Sequence, residues 1–296
     1  MRPIWTRSAR QTSLSVEPGA LVRQLTQPDR ERALQLLSAD PVENLFVAAR
    51  VDGFGLDPAR MGSTVWGYER YGQLQSLCHV GSNLVPIGAD AAIAAAFADH
   101  IGRRRGAAAI MGNAEQVALM YRTLSDRWGE SWAQARDTRW HQPLMLIDHP
   151  AQAEPDPRVR LMTMTDFDAY YQAAVAMYTE EVGVSPLDAS GSYARYVRSL
   201  IQQGRALGVV DDHGEVIYKS DVGSALGRIC QVQGVWLHPR LRGQGMSIPA
   251  MAAVVGLCRE RWSLVSLYVN DYNVRARRLY ERVGFRTIGE LATVLY

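Results

Sequence analysis

The sequence is poor in lysine and cysteine, and it contains no long apolar run. Lys219 is its only lysine among 32 basic residues, so arginine supplies almost all of the positive charge. A compositional bias against lysine is the simplest explanation, and it makes the one remaining lysine stand out. The three cysteines lie far apart without metal or redox spacing, which predicts reduced core residues and no metal site. No segment of eighteen apolar residues occurs, so no membrane span is expected.

The composition is that of a packed and nearly neutral protein. Hydrophobic residues make up 47% of the chain, which is enough for packed cores. The net charge of +2 gives no electrostatic reason to expect nucleic acid as a partner. Residues 1–5 lead into a polar, turn-rich stretch rather than an apolar signal segment. We therefore expect a cytoplasmic protein, either a monomer or a homodimer.

Length and local composition predict two domains. The chain of 296 residues exceeds one typical domain. Residues 149–157 are rich in proline and polar side chains, which is typical of a linker. This linker separates a predicted domain at 21–148 from a second at 158–296, and residues 1–20 are predicted to be a flexible N-terminal segment.

The two predicted domains open with similar residues. Four residues of the first opening occur again in the second with the same spacing. They are Val22, Arg23, Thr26 and Asp29 in the first and Val159, Arg160, Thr163 and Asp166 in the second. Each set predicts a strand followed by a Thr-x-x-Asp helix start, close to a capping box. We interpret this as one fold used twice; chance similarity between two strand–helix openings is the alternative.

Residues 235–247 predict a strand that ends at a proline. A glycine-rich loop follows and leads into a helix. This order presents backbone N–H groups at the positive end of a helix, where a phosphate binds. Arg242 adds charge, and Gly243 and Gly245 allow close approach of the backbone to a ligand. The Gly-Lys-Ser/Thr of nucleotide triphosphatases and the third glycine of Rossmann folds are both missing. An ordinary turn is the alternative interpretation.

Residues 273–285 form a second motif, an amphipathic helix that ends at a glycine. Ala276, Leu279, Tyr280 and Val283 follow the spacing of a half-buried helix face, and Gly284 occupies the usual C-terminal position. Together the two motifs resemble those of the GNAT superfamily of acyl-coenzyme A-dependent N-acyltransferases. The loop pattern of the family is matched by Arg242 and Gly245, and its third key position is occupied by Ser247 instead of glycine or alanine. The helix pattern of the family is matched by Asn273, Ala276, Tyr280, Gly284 and Phe285.

The resemblance implies a fold, a donor and a reaction. The implied fold is a mixed α/β sheet in two tandem GNAT-like domains, of which only the C-terminal one binds the cofactor. The N-terminal half has a faint Asn113…Tyr121 echo of the second motif but no glycine-rich loop, so we expect a degenerate copy. The implied cofactor is acetyl-CoA or another acyl-CoA, with direct acyl transfer from the thioester to an amine.

The resemblance also assigns the cofactor-binding residues, which are Val235, Trp236, Leu237, Arg242, Gly243, Gln244, Gly245, Met246, Ser247, Asn273 and Tyr280. Val235 N–H is expected to meet the developing oxyanion. Tyr280 is the expected catalytic donor, because a phenol stays protonated at neutral pH and can protonate a leaving thiolate. Core packing is the alternative role for Tyr280, and capping of the helix is the alternative role for Asn273.

The identity of the general base does not follow from the resemblance. Many relatives carry a glutamate on the strand before the loop, where this chain has Gln231 and Gln233. Asp221 and Glu181 are therefore the candidate catalytic carboxylates, and Glu180, Lys219 and Asp221 are the candidate substrate-binding residues. Because Lys219 and Asp221 are two residues apart on a strand, they share one face. We predict a salt bridge at the acceptor site, with a solvent-facing pair as the alternative.

Three functions remain open at this level. The first is an N-acyltransferase that acts on a small-molecule or protein amine. The second is an acyl-CoA sensor without turnover, and the third gives the N-terminal half a role in recruiting a protein acceptor.

The sequence also predicts that the strand pair before the loop, 215–222 and 228–238, is joined by a turn at Gly223 and Ser224.

Overall fold

The computed structural model describes residues 19–187 and 189–296, and its twelve strands form one continuous mixed sheet. The segment predicted to be flexible lies outside these ranges except for its last two residues. The strands are β1 (Ala20–Gln24), β2 (Thr64–Arg70), β3 (Gln73–Val80), β4 (Asn83–Ile87), β5 (Ala109–Asn113), β6 (Asp137–Ile147), β7 (Arg160–Leu161), β8 (Ala206–Val210), β9 (Val216–Leu226), β10 (Ile229–Leu237), β11 (Leu264–Tyr268) and β12 (Arg286–Leu295).

Helices pack against the sheet and occur singly or in groups between the strands of the sequence. They are α1 (Arg30–Leu37), α2 (Leu45–Phe54), α3 (Pro58–Met61), α4 (Ala91–Ile101), α5 (Ala114–Trp128), α6 (Glu130–Ala133), α7 (Phe167–Val182), α8 (Ser192–Gln202), α9 (Ser247–Arg259) and α10 (Val274–Val283). The expected mixed α/β fold class is confirmed. None of the helices in the described ranges combines the length and hydropathy needed to cross a membrane.

The N-terminal half (residues 19–148) and the C-terminal half (residues 149–296) repeat one strand topology. Strands β1 to β4 pair in antiparallel order and β5 joins β4 in parallel. Strands β7 to β10 pair in antiparallel order and β11 joins β10 in parallel. The two sets of five strands therefore have the same order and the same directions.

The remaining two strands are exchanged between the halves. β12, at the end of the chain, pairs with β5 of the N-terminal half, and β6 of the N-terminal half pairs with β11 of the C-terminal half. The two strands also pair with each other, which joins the halves into one sheet. The centre of the sheet thus depends on residues from both ends of the sequence.

The matched openings predicted from sequence adopt the same local structure. Arg23 donates to both carboxylate oxygens of Asp29 at 2.8 and 2.7 Å, and Arg160 donates to both oxygens of Asp166 at 2.8 Å. In each half the aspartate also accepts the backbone N–H of the capping threonine at 2.9 Å. The capping boxes are confirmed at both positions.

One predicted turn is wrong. β9 continues through Gly223 and Ser224 to Leu226, and the reversal occurs after Gly227, whose φ is +55°. A Cβ at Gly223 would lie 2.1 Å from the Gln233 side chain across the strand pair, so that glycine provides space rather than a turn.

Candidate active site

The glycine-rich loop presents a run of unpaired backbone N–H groups. Gly243 and Gly245 have φ of +81° and +80°, a conformation that favours glycine. No described residue accepts a hydrogen bond from the backbone N–H of residues 243 to 247. The following helix, α9, begins without a side-chain cap, so its positive end also remains open. This geometry suits an anion with several oxygens.

Ser247 is small enough in sequence terms to serve as the cap of the helix that follows the loop, but it does not cap α9. It is the first residue of the helix, and Met246 occupies the capping position without a side-chain hydrogen bond. Pro249 falls in the first turn of α9, where a missing N–H costs nothing.

The equivalent helix of the N-terminal half has no such opening. β4 leads through a two-residue connection to Asp90, whose carboxylate accepts the backbone N–H of Ile93 at 2.8 Å. The backbone N–H of Ala89 donates to the Gln116 side chain at 2.7 Å. An acidic cap and paired N–H groups oppose anion binding at the start of α4. The unpaired loop is therefore a property of the C-terminal half.

Strand β10 separates from β11 next to this loop. The parallel pairing covers only Ile229 to Gln231, although β10 continues to Leu237. On its other side β10 has a bulge, because Gln233 pairs with Asp221 and Trp236 pairs with Lys219. Gly234 and Val235 therefore have no register partner in either neighbouring strand. A gap between parallel strands beside unpaired backbone groups can accept an extended chain.

The predicted Lys219–Asp221 salt bridge is present, and it is buried rather than solvent-facing. Lys219 Nζ donates to Asp221 Oδ2 at 2.7 Å, and the two side chains are 0% and 6% exposed. Tyr170 on α7 donates to Asp221 Oδ1 at 2.5 Å. Lys219 Nζ also donates to the carbonyl oxygen of Gly234, in the bulge, at 2.9 Å. Tyr170 was not predicted, because its position on a helix gave no sign of a polar partner.

Arg242 is held by Glu180 and does not extend freely into the loop. Its two terminal nitrogens donate to the Glu180 carboxylate at 2.6 and 2.8 Å, and its Nε donates to the Leu237 carbonyl at 3.0 Å. The same carboxylate accepts from Trp236 Nε1 at 3.2 Å. Hydrogen bonds from Arg242 lower the pKa of the Glu180 carboxyl. These contacts tie the loop to the ends of α7 and β10.

Tyr280 lies at the edge of the C-terminal core. The residue is 7% exposed and its ring packs edge-on against Phe285 with centroids 5.9 Å apart. Its hydroxyl has no hydrogen-bond partner in the described part of the chain, yet it is not among the fully buried unpaired polar atoms. The hydroxyl is therefore available to a ligand. Burial, reinforced by the negative charge of Glu181, raises the pKa of Tyr280.

Glu181 lies at the rim of the same region. Its side chain is 53% exposed, and its charge also raises the pKa of Tyr268 on β11, although burial is the larger cause there. Arg139 on β6 donates to the Glu181 carbonyl at 3.1 Å, so the exchanged strand reaches this rim. Nothing in the local sequence around Arg139 indicated this position, because it depends on the strand exchange.

Asn273 caps α10 by accepting the backbone N–H of Ala276 at 3.1 Å, which matches the alternative role considered for it.

A group of tyrosines on α7 and α8 lies near the bulge of β10. Gln233 in β10 donates to the Tyr196 hydroxyl at 2.6 Å. Tyr171, Tyr178 and Tyr196 all pack around Tyr193, with ring centroids 5.4 to 6.2 Å apart. This tyrosine cluster on α7 and α8 was not predicted from sequence.

Two family models match the chain. The model of the acetyltransferase (GNAT) family matches residues 162–285, and a model described only as a domain of unknown function (DUF4081) matches residues 63–170. The region matched by the acetyltransferase (GNAT) family model contains both motifs that resemble this family, at residues 235–247 and 273–285. No curated protein sequence matches the chain.

Solved structures share the fold over nearly the whole chain. A Drosophila protein is 13% identical over 94% of this chain and 99% of its own, with a TM-score of 0.65. A GCN5-related N-acetyltransferase from Sphaerobacter thermophilus is 15% identical over 95% and 97%, with a TM-score of 0.61. A tandem GNAT protein of the clavulanic acid biosynthesis pathway is 14% identical over 93% and 98%, with a TM-score of 0.57. These identities show the fold alone.

Proposed function

We propose that the protein is an N-acyltransferase that moves an acetyl or other acyl group from coenzyme A to an amine. The observation that carries this proposal is the run of unpaired backbone N–H groups at residues 243 to 247, at the uncapped start of α9. A diphosphate matches such a run in charge and in number of acceptor oxygens. The gap between β10 and β11 accommodates the extended arm of the same molecule.

We further propose that two GNAT-like domains occupy residues 21–148 and 158–296, joined by residues 149–157. Only the second domain would bind the donor, because Asp90 caps the equivalent helix of the first. The acceptor would be an amine on a small molecule or a protein. Three buried free cysteines support a cytoplasmic location.

Within this site, each candidate residue has a distinct role. The bound donor would supply the activated acyl carbon, which the amine nitrogen attacks while the carbon–sulfur bond breaks. Tyr280 would then give its hydroxyl proton to the departing sulfur, since its raised pKa keeps it protonated. Glu181, exposed at the rim, is the carboxylate best placed to take the proton that the amine loses. Asp221 is 4% exposed and already bonded to Lys219 and Tyr170, so we assign it a supporting role.

The need for a base depends on the acceptor. A lysine-like amine with a pKa of about 10.4 is neutral in roughly one of 2,500 molecules at pH 7, whereas an α-amino group near 7.8 is neutral in about one of seven. An acceptor of the second kind would make Glu181 dispensable.

Calorimetric titration with acetyl-CoA and a thiol-release screen against a panel of amines test the proposal. Gly245→Asp would place a carboxylate at the unpaired N–H groups and is expected to abolish acetyl-CoA binding. Gly214→Asp is the matched control, because Gly214 has a similar φ of +79° and, like Gly245, has no atom within 4 Å of an added Cβ. Binding of acetyl-CoA without thiol release in the presence of any amine would favour the function of an acyl-CoA sensor. Failure of the wild-type protein to bind acetyl-CoA would refute the assignment.

A further inference from the structure

The only lysine of the chain is fully buried beside the bulge of β10. Its ammonium group contacts three partners: the Asp221 carboxylate, the Gly234 carbonyl oxygen and the face of the Tyr170 ring, whose centroid is 5.4 Å away. Burial of a lysine is costly unless its charge is paired and its N–H groups are satisfied. All of these conditions are met, and one of the partners is a backbone carbonyl inside the proposed donor site.

Gly234 is fitted closely to this ammonium group. Its φ is +57°, in the region that favours glycine. A Cβ at this position would lie 2.9 Å from both Lys219 Nζ and Asp221 Oδ2, and 3.1 Å from Met177 Cε. The lysine and the glycine therefore fix the orientation of the peptide group between Gly234 and Val235.

That orientation directs the Val235 N–H toward the side of the sheet where Tyr280 lies. Lys219 and Tyr218 are successive strand residues, so their side chains point to opposite faces. The Tyr218 hydroxyl donates to Met251 Sδ on α9 at 3.8 Å, and α9 packs against α10, which carries Tyr280; Lys219 instead contacts Tyr170 on α7. In a trans peptide the C=O and the following N–H point in opposite directions. Because the Gly234 carbonyl points to Lys219, the Val235 N–H points to the face of Tyr218 and Tyr280.

We propose that Lys219 is a positioning residue: its ammonium group holds the Gly234 carbonyl so that the Val235 N–H is directed at the thioester oxygen of the acyl donor. The inference rests on the proposed function. The positive charge of the ammonium group, next to the Gly234 carbonyl oxygen, also polarises the peptide group. This strengthens the Val235 N–H as a hydrogen-bond donor. Asp221 pairs with the ammonium group and holds it in place, which accounts for the buried ion pair without giving Asp221 contact with the substrate.

Isotope-edited infrared spectroscopy of bound acetyl-CoA, labelled with ¹³C at the thioester carbonyl, tests this positioning without needing an acceptor. The wild-type protein is expected to lower the carbonyl stretching frequency relative to free acetyl-CoA. The double variant Lys219→Met/Asp221→Asn removes both charges together, so neither is left unpaired. It is expected to lose at least half of this frequency shift while binding acetyl-CoA within about twofold of wild type. With an amine that the wild-type protein acylates, the kcat of the double variant should fall roughly 10-fold or more at unchanged KM.

Tyr170→Phe is the matched control. It removes the hydroxyl hydrogen bonds to Asp221 and to the Ser220 carbonyl but leaves the contact between Lys219 and Gly234 intact. We expect the wild-type frequency shift in this variant even where its thermal stability is reduced. An unchanged shift in the double variant, or an equal loss in Tyr170→Phe, would overturn the positioning role.

A wild-type measurement covers the case in which the double variant does not fold. In protein labelled with ¹⁵N-valine, the Val235 amide signal, assigned from Val235→Leu, should move on addition of acetyl-CoA and move less with coenzyme A. Equal responses to the two ligands would refute the inference while leaving donor binding established. Absence of any binding by wild-type protein would instead refute the proposed function and the inference with it.

Discussion

Glu180 accepts two hydrogen bonds from Arg242, at 2.6 and 2.8 Å, and so places a negative charge beside the loop proposed to bind a diphosphate. The pair lies at the surface, with side chains 40% and 49% exposed. A surface pair contributes little to folding, but its carboxylate lowers the positive potential that an incoming anion meets. The ion pair fixes the position of Arg242, and on the proposed function it would also weaken donor binding.

Glu180→Gln should therefore strengthen donor binding. The amide keeps the shape of the carboxylate and can still accept a hydrogen bond from Arg242, while one negative charge is removed. We expect the Kd for coenzyme A to fall about 2- to 5-fold at low ionic strength and this gain to disappear near 0.5 M salt, where exposed charges are screened. Titration calorimetry at two salt concentrations measures both effects. Glu115→Gln, on α5 of the N-terminal half, is the control; weaker binding by Glu180→Gln at all salt concentrations would contradict the argument.

The exchanged strands make the two halves depend on each other for folding. A fragment of residues 149–296 lacks β6, which leaves β11 and β12 without the strand that lies between them. We expect this fragment alone to be insoluble or largely unfolded, because exposed strand edges aggregate. Co-expression with residues 1–148 should restore a soluble complex that binds acetyl-CoA. Size-exclusion chromatography and circular dichroism of the fragments provide the check, and an independently folded C-terminal fragment would contradict it.

Local patterns in the sequence predicted the glycine-rich loop and its neighbouring helices better than they predicted the sheet. The order of strand, glycine-rich loop and helix depends on neighbouring residues. The sequence predicts helices at 247–260 and 273–283, and α9 and α10 begin and end within one residue of these bounds. The strand exchange depends on which distant strands pair, and alternation of apolar residues in a strand does not specify its neighbour. For this reason Arg139 was not expected near Glu181.

The two-residue spacing of Lys219 and Asp221 illustrates the same limit. Spacing alone showed that the side chains share a face. It did not show that the shared face is covered by α7, since that depends on how the helix packs and on Tyr170. The bulge at Gly234 was equally invisible, because a glycine within a strand pattern fits either a bulge or a simple close approach.

Tyr280→Phe should separate catalysis from stability. The hydroxyl has no partner in the described part of the chain, so its loss should change the free energy of unfolding by less than about 0.5 kcal/mol. The kcat for acyl transfer should fall roughly 100-fold with little change in KM, because the leaving sulfur loses its proton donor. Because the pKa of Tyr280 is raised, its deprotonation should not limit the rate at pH 7 to 9.

Tyr121→Phe is the matched control for this variant. Tyr121 is the echo of Tyr280 in the N-terminal half, and its hydroxyl donates to the Ala133 carbonyl at 2.8 Å. The expected result is reversed: a loss of about 1 kcal/mol in stability with unchanged kcat. Steady-state kinetics and chemical denaturation of both variants give the comparison. A fully active Tyr280→Phe enzyme would show that the ring only packs.

His79 should make the N-terminal half sensitive to mild acid. The residue is 2% exposed and its Nδ1–H donates to the Asn83 carbonyl at 3.0 Å. Its buried Nε2 has no hydrogen-bond partner among the described residues. Burial, with a smaller contribution from the charge of Arg50, lowers its pKa from 6.5 to about 4. The unfolded chain therefore binds a proton below pH 6.5 that the folded protein does not bind until about pH 4. Since the unfolded state gains protons first, stability falls as the pH drops through this window.

The effect should reach about 2 kcal/mol at pH 5, from a difference of 1.5 pH units at 1.36 kcal/mol each. His79→Asn keeps a donor near the position of Nδ1 and cannot be protonated, so the variant should lose this pH dependence between pH 7.5 and 5. His141→Asn, whose histidine side chain is 65% exposed, should retain it. Urea denaturation at the two pH values measures the difference. Equal acid sensitivity in wild type and His79→Asn would show that other groups titrate in this window and that the buried imidazole does not control it.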